Sequence, residues 1–341
     1  QFLSTMTHLL LAATLIGMNV NLDAEREMHD LLKGYEKKGF RGALAIYLGG
    51  KQVFWHTAGK ADPDSGREFD TNTGFCSGSI VKSYTRYAIA NLVIQGKVSL
   101  EDTLPKFFAQ VPEDKKGIRI RHLLNFTSGF KDNFGGDYEL IERDDLMKKM
   151  LESKLEFEPG QDERYCNSGY SMLAAIVEKV TGEKFENYVV KTQFDPMGLK
   201  RLGYLRGGWN TSELVVGTTA TGDRWGSTLD HKWMKDGPSW NLRGNGGMLG
   251  TLNEMHLWYR NVYSGAFGSQ DQFKVFAPEL ADPERLKKSV IMEAGGNNVF
   301  TTFVLFAPGK DLYIAAGNCD ARFPLEESGR EIYSVAKNFA P

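Results

Sequence analysis

A serine and a lysine three residues apart share one face of a helix. Ser79 and Lys82 form such a pair within Gly74-Phe75-Cys76-Ser77-Gly78-Ser79-Ile80-Val81-Lys82-Ser83-Tyr84, which reads as a turn running into a helix. A serine hydroxyl is a weak nucleophile until a base takes its proton. A lysine amine can be that base where burial or a neighbouring cation keeps it partly neutral. The helix N-terminus beside Ser79 adds free N–H groups and a dipole that favour developing negative charge. Taken alone, the pattern equally describes an N-cap serine followed by a lysine one turn later, and Ser77 and Ser83 crowd the same lysine.

A second constellation, Tyr165-Cys166-Asn167, lies between the turn Phe157-Glu158-Pro159-Gly160 and an amphipathic run from Ser168 to Thr181. A tyrosine at a helix entrance can act as a general base when a nearby cation lowers its pKa. Asn167 can donate to a substrate carbonyl or join the network of the lysine. Alone, the triplet also fits an aromatic staple followed by an Asn N-cap.

These residues must be held by a chain of 341 residues, long enough for one large domain or two smaller ones. Apolar content of 41% and charged content of 25% are those of an ordinary globular protein. A net charge of -2 argues against nucleic-acid binding or a polybasic membrane surface. Cys76, Cys166 and Cys319 form no zinc spacing and no disulfide framework. His56, His231 and His256 show no ligand spacing, His122 reads as a buried structural residue, and neither metal nor cofactor is expected. Leu9–Val20 has the length of a signal-peptide core and is too short for a confident membrane span; it reads as a signal core, implying a secreted or periplasmic protein, or as a packed first helix of a cytoplasmic one.

The periodicity predicts a helix over 22–38 and a hairpin of strands 43–48 and 52–58 around Gly49-Gly50. Helices follow from Ser79 to about Gly96, within 119–130, over 138–156 and over 168–181, and again in the FENYVVKTQFDPMGL stretch and over 254–264. Residues 206–241, carrying Trp209, Trp225, Trp233 and Trp240, read as loops around a cleft; the tryptophans either wall a pocket or fasten the loops. KKSVIME, NVFTTFVLFA and LYIAAGN read as strands, and Glu326 to Phe339 as a closing helix. The pattern predicts an α+β fold: an antiparallel sheet of N- and C-terminal strands flanked by helices, with a mostly helical region inserted. The expected division is an apolar segment 1–24, a sheet region of 25–75 and 245–341, and a helical region 76–244, with the site in the cleft between the last two.

Taken in order, the motifs resemble the serine β-lactamase and penicillin-binding-protein superfamily, and most nearly its class C β-lactamase-like branch of family VIII carboxylesterases, DD-peptidases and D-aminopeptidases. Ser79–Lys82 matches S-x-x-K, and Tyr165-Cys166-Asn167 matches Y-x-N. IRIRHLLNFTSGF, FEPG, YCNSGYSMLAAIVEKVTG, DPMGL and Gly246-Gly247-Met248-Leu249-Gly250-Thr251 are similar to further stretches of that branch, and the likeness runs from about Gly42 to the C-terminus. The resemblance implies an acylated Ser79, with Lys82 bridging Ser79 and Tyr165, Tyr165 as general base, and Asn167 orienting Lys82 and the substrate carbonyl. It also implies an oxyanion hole of the Ser79 N–H and one N–H near Gly295, Gly296 and Asn297.

One departure bears on the substrate. Where the family carries K-T-G or H-x-G, this chain has Glu293-Ala294-Gly295. An acid there repels the carboxylate of penicillins and D-Ala-D-Ala peptides, unless Glu293 points away or the alignment is offset. The expected activity is a serine esterase on small neutral acyl esters. The alternatives are a peptidase or amidase on amine-bearing or D-amino-acid substrates, and a non-catalytic scaffold. β-Lactamase and DD-peptidase activity are less favoured.

Overall fold

In the computed structural model, residues 21–297 and 299–339 are described, so the Leu9–Val20 segment lies outside the described residues. Helix α1 (Leu22–Glu36), capped by the Asn21 side chain, leads into strands β1 (Gly42–Leu48) and β2 (Lys51–Ala58). A short strand β3 (Phe75–Cys76) precedes α2 (Val81–Ile94), α3 (Ile120–Leu124), α4 (Arg143–Glu152), α5 (Asn167–Thr181) and α6 (Phe185–Val189). The loop region holds a small pair, β4 (Gly217–Thr218) with β5 (Arg224–Gly226), and ends at β6 (Leu249–Gly250). Helices α7 (Leu252–Tyr263), α8 (Gln270–Phe276) and α9 (Pro283–Lys288) follow. Strands β7 (Ile291–Gly296), β8 (Thr301–Ala307) and β9 (Leu312–Asn318) and helix α10 (Gly329–Ala336) close the chain.

The five long strands form one antiparallel sheet in the order β2-β1-β9-β8-β7. Every residue of β1 and β9 is buried, because layers cover both faces. Alternation divides the side chains between two cores. Leu44, Ile46, Leu305, Ile314 and Ala316 pack under Met28 and Leu32 of α1 and Ile332 and Val335 of α10. Ala45, Tyr47, Val304, Phe306 and Tyr313 face the helices inserted between the strands. Burying each large aliphatic side chain of this kind is worth about 1.5–3 kcal/mol.

The expected fold class is the observed one, with local corrections. The C-terminal strand expected over KKSVIME begins at Ile291, since Lys287 and Lys288 end α9. Gly295 and Gly296 belong to that strand and not to the following turn. Helices α8 and α9 have no counterpart among the expected elements, and the helix expected over 138–156 is confined to Arg143–Glu152. Upstream of α4, Ile141 is instead tied to the loop carrying Ser239 and Trp240. Among the described residues, no helix is long and apolar enough to cross a membrane.

His256 of α7 is buried and stacked on Tyr47 of β1, with ring centroids 3.6 Å apart. Its Nδ1 lies 2.8 Å from the Asn253 carbonyl, so Nδ1–H donates there. Burial pushes its pKa down to about 3. In the unfolded chain the value returns to about 6.5, so below that pH the unfolded state binds more protons and stability falls with pH. Urea unfolding should show this loss between about pH 6 and 4, by at most about 1.4 kcal/mol per pH unit for this group. His256→Phe, which keeps a ring against Tyr47, should flatten that slope; an unchanged slope would exclude His256 as its source.

Candidate active site

Ser79 is placed by a turn fastened on both sides. Ahead of it, β3 pairs with β6, and Ser77 N–H and Oγ–H both donate to the Met248 carbonyl at 2.8 Å. Gly78 then turns with φ +48°, and a Cβ on it would stand 2.3 Å from the Gly296 nitrogen. The chain passes through one 3-10 turn, Gly78–Ile80, into α2. Helical spacing brings Ser79, Lys82, Ser83 and Arg86 to one cavity.

Lys82 is buried at 7% exposure, and its amine has three oxygen neighbours. Ser79 Oγ lies at 3.0 Å, Asn167 Oδ1 at 2.7 Å and the Asn245 carbonyl at 2.8 Å. Burial pulls its pKa down to about 7, against a partial opposing pull from Asp132 and Asp137. The two amide oxygens can only accept. A neutral amine therefore gives them its two hydrogens and turns its lone pair toward the one neighbour with a proton to lose, Ser79.

Tyr165 completes the triangle, its hydroxyl 2.6 Å from Ser79 Oγ. The residue is 51% exposed, yet its hydroxyl turns inward, and its ring lies 5.1 Å from that of Phe126. Phe126 adopts φ +59°, an uncommon conformation for a non-glycine residue, and its carbonyl accepts from Arg164 N–H at 3.0 Å. The RHLL-NFTSG stretch and the FEPG turn are locked together behind it: a Cβ on Gly129 would lie 2.1 Å from the Phe157 carbonyl oxygen. Asn167 opens α5, where Asp132 Oδ1 accepts its N–H at 2.7 Å. An acidic side chain at a helix N-terminus is well placed.

The expectation that a cation lowers the Tyr165 pKa is corrected. Burial of the hydroxyl pushes it up to about 12, with only a partial opposing effect of the Ser79 hydrogen bond. Lys82 cannot serve as a permanent cation there, because it too is buried and titrates near neutrality. Burial thus favours the neutral form of both groups, which makes the lysine the more ready proton acceptor of the two.

β7 lies directly against the nucleophile turn. A Cβ on Gly295 would stand 2.1 Å from the Ser79 nitrogen. Among the described residues no acceptor takes the Ser79 N–H. Asn297 N–H is already given to the Phe300 carbonyl at 2.9 Å, and its Oδ1 accepts from Val299 and Phe300. Asn297 is therefore a hairpin residue, not an oxyanion donor. Ladder alternation turns the Gly296 N–H away from β8 and toward the serine turn.

The cavity beside Ser79 has a volume of about 280 Å³. Its walls include Phe126, Tyr165, Tyr170, Tyr263 and Phe276, with Glu293 entering from β7. Glu293 thus faces the site, and burial raises its pKa, with Arg86 opposing the shift. Sequence reasoning missed Arg86, although its position seven residues after Ser79 was a visible signal. It also missed Asp132 and Asn245, for which sequence spacing gives no signal. The tryptophans do not line this cavity. Trp209 and Trp233 fasten loops by donating to the Arg201 and Thr228 carbonyls. Among the described residues no cluster of metal-binding side chains occurs. Cys76, Cys166 and Cys319 are free and buried; Cys166 Sγ accepts from Gly169 N–H.

Comparison with known proteins gives a match to the family model described as Beta-lactamase over residues 25–316. Penicillin-binding protein 4* of Bacillus subtilis is 30% identical over 172 residues, which cover 48% of this chain and 38% of that protein. The chain thus spans less than half of that relative. A penicillin-binding protein from Bacillus halodurans superposes with a TM-score of 0.73 at 19% identity, covering 91% of this chain and 99% of that one. FmtA from Staphylococcus aureus superposes with a TM-score of 0.74 at 17% identity, covering 95% and 91%. At these identities the two structures speak to the fold alone.

The reactivity of Ser79 should follow the protonation of Lys82. Its labelling rate by a fluorophosphonate should rise with pH to a plateau, with a midpoint near 7. Lys82→Arg, which cannot lose its proton at these pH values, should lower the plateau by about 10²-fold or more. A pH-independent rate in the wild type would exclude this assignment of the base.

Proposed function

The chain belongs to the β-lactamase family, and from that premise we propose that it is a serine hydrolase working through an acyl ester on Ser79. The observation that carries this reading is the triangle of Ser79 Oγ, Lys82 Nζ and Tyr165 OH, with sides of 3.0 and 2.6 Å at the serine. In the proposed cycle Lys82 Nζ accepts the Ser79 proton as Oγ attacks the substrate carbonyl carbon. The oxyanion is met by the N–H groups of Ser79 and Gly296, each donor of this kind being worth about 10²–10³ in rate. The C–O or C–N bond to the leaving group then breaks. The proton on Lys82 reaches the leaving atom through the Tyr165 hydroxyl. A water molecule repeats the sequence in reverse roles to free Ser79.

In this reading Asn167 and the Asn245 carbonyl are positioning groups that fix the lysine, and Asp132 fixes Asn167. We place the site between the sheet region of 25–75 and 245–341 and the helical region of 76–244. Small neutral acyl esters are the favoured substrates, because a substrate bearing only a carboxylate meets Glu293 in the cavity. A second reading, an amidase or peptidase on amine-bearing substrates, draws on the same carboxylate as a partner for the amine.

Turnover of p-nitrophenyl acetate and butyrate should fall by about 10³-fold or more in Ser79→Ala. Intact-protein mass spectrometry of the wild type should show one added acyl group. Activity surviving in Ser79→Ala would exclude the proposal, and absence of any acyl adduct from ester, D-peptide and penicillin would favour a non-catalytic scaffold. Glu293→Gln should raise KM selectively for amine-bearing substrates if the second reading holds, and leave the ratio of KM values unchanged if it does not.

A further inference from the structure

The cavity beside Ser79 holds two opposite charges that the acyl-transfer steps leave idle. Arg86 enters from α2 and Glu293 from β7, both lining the same space. Arg86 spends Nη2 on the Leu124 carbonyl at 3.0 Å and the Tyr170 hydroxyl at 3.3 Å. Among the described residues, its Nε and Nη1 meet no acceptor, and the Glu293 carboxylate accepts no hydrogen bond. The two side chains attract each other across the cavity without closing to salt-bridge distance. Charges taken partly out of water are costly unless paired. Here Arg86 meets only two neutral acceptors and no carboxylate in contact, Glu293 meets no donor, and the two share the space between them.

The chemistry of that space restricts what completes it. A lone carboxylate gains Arg86, and Lys82 in its protonated form, and is repelled by Glu293, with Glu279 adding a second negative charge to the lining. A lone ammonium gains the carboxylates and is repelled by Arg86. A group bearing both charges satisfies both sides. Aromatic rings of Phe126, Tyr165, Tyr170, Tyr263 and Phe276 form much of the remaining wall, and π faces stabilise an ammonium. The guanidinium suits a carboxylate by its forked geometry. A volume of about 280 Å³ accommodates a compact head group.

We propose that this cavity is a subsite for a zwitterionic head group of the amino-acid class, with Arg86 receiving the carboxylate and Glu293 the ammonium. The assignment rests on the acyl-transfer reading only in placing that head group beside the scissile bond. It refines the substrate class: a molecule carrying both charges is accepted where a molecule carrying only a carboxylate is not.

Binding to the full-length Ser79→Ala protein tests the subsite without turnover. Titration with D-alanine and glycine, against acetate and methylammonium, is expected to favour the zwitterions by about ten-fold, a difference of about 1.4 kcal/mol. Arg86→Gln and Glu293→Gln should each abolish the preference, and Arg86→Lys should retain part of it. The proposal is overturned if the zwitterions bind no more tightly than the single charges, if the preference survives both Gln substitutions, or if Arg86→Lys loses as much as Arg86→Gln. Acylation of wild-type Ser79 by p-nitrophenyl acetate, measured separately, reports on the hydrolase reading and is independent of this titration.

Discussion

The site depends on an amine buried without a carboxylate to hold its charge. Lys82 is given carbonyl acceptors and a hydroxyl, and no acid within salt-bridge distance among the described residues. A buried ammonium in such surroundings gives up its proton readily. Asp132 and Asp137 act on it only from a distance, which limits the shift and keeps it near neutrality. The surrounding order follows from that need. Asn245 is held by donating its amide to Ser171 and to the Asn241 carbonyl, which fixes its own carbonyl toward the lysine. Asn167 is fixed through Asp132 at the start of α5.

How far the sequence reveals such a site depends on whether its contacts are local. Ser79, Lys82, Ser83 and Arg86 share a helix face, so their grouping follows from spacing alone. Tyr165 and Asn167 reach the same point through tertiary packing, and only the resemblance of the whole motif series linked them to the lysine. Asn245 had no such marker, because a backbone carbonyl used as an acceptor leaves no trace in residue type. The protonation pattern was hidden for a related reason. Whether Lys82 or Tyr165 holds the proton turns on how deeply each polar atom is buried, and spacing says nothing of depth.

The sheet was legible where one strand alternates against one layer or sits between two. β1 and β9 read as apolar runs because both faces are covered. β7 was misplaced by several residues, since an edge strand beside a helix shows weak alternation, with half-exposed positions among polar and glycine residues. That offset also accounts for Asn297. In the sequence Gly295-Gly296-Asn297 reads as a turn, which sets Asn297 beside the expected oxyanion donors. Helices α8 and α9 are short, and runs of that length carry too few turns for a period to declare itself.

The central pairing of the sheet joins β1 near the start of the chain to β9 near its end, with Gly42 opposite Asn318 and Leu48 opposite Leu312. Pairings of such separation form slowly, because a long loop must close before they are rewarded. During ribosomal synthesis the hairpin of β1 and β2 emerges with its inner edge bare, and nearly the whole chain must follow before a partner arrives. A bare edge of this kind invites association with other chains. β7, whose backbone lies against the Ser79 turn, is made equally late. The helix carrying Ser79 and Lys82 thus exists as nascent chain well before the strand that completes its surroundings.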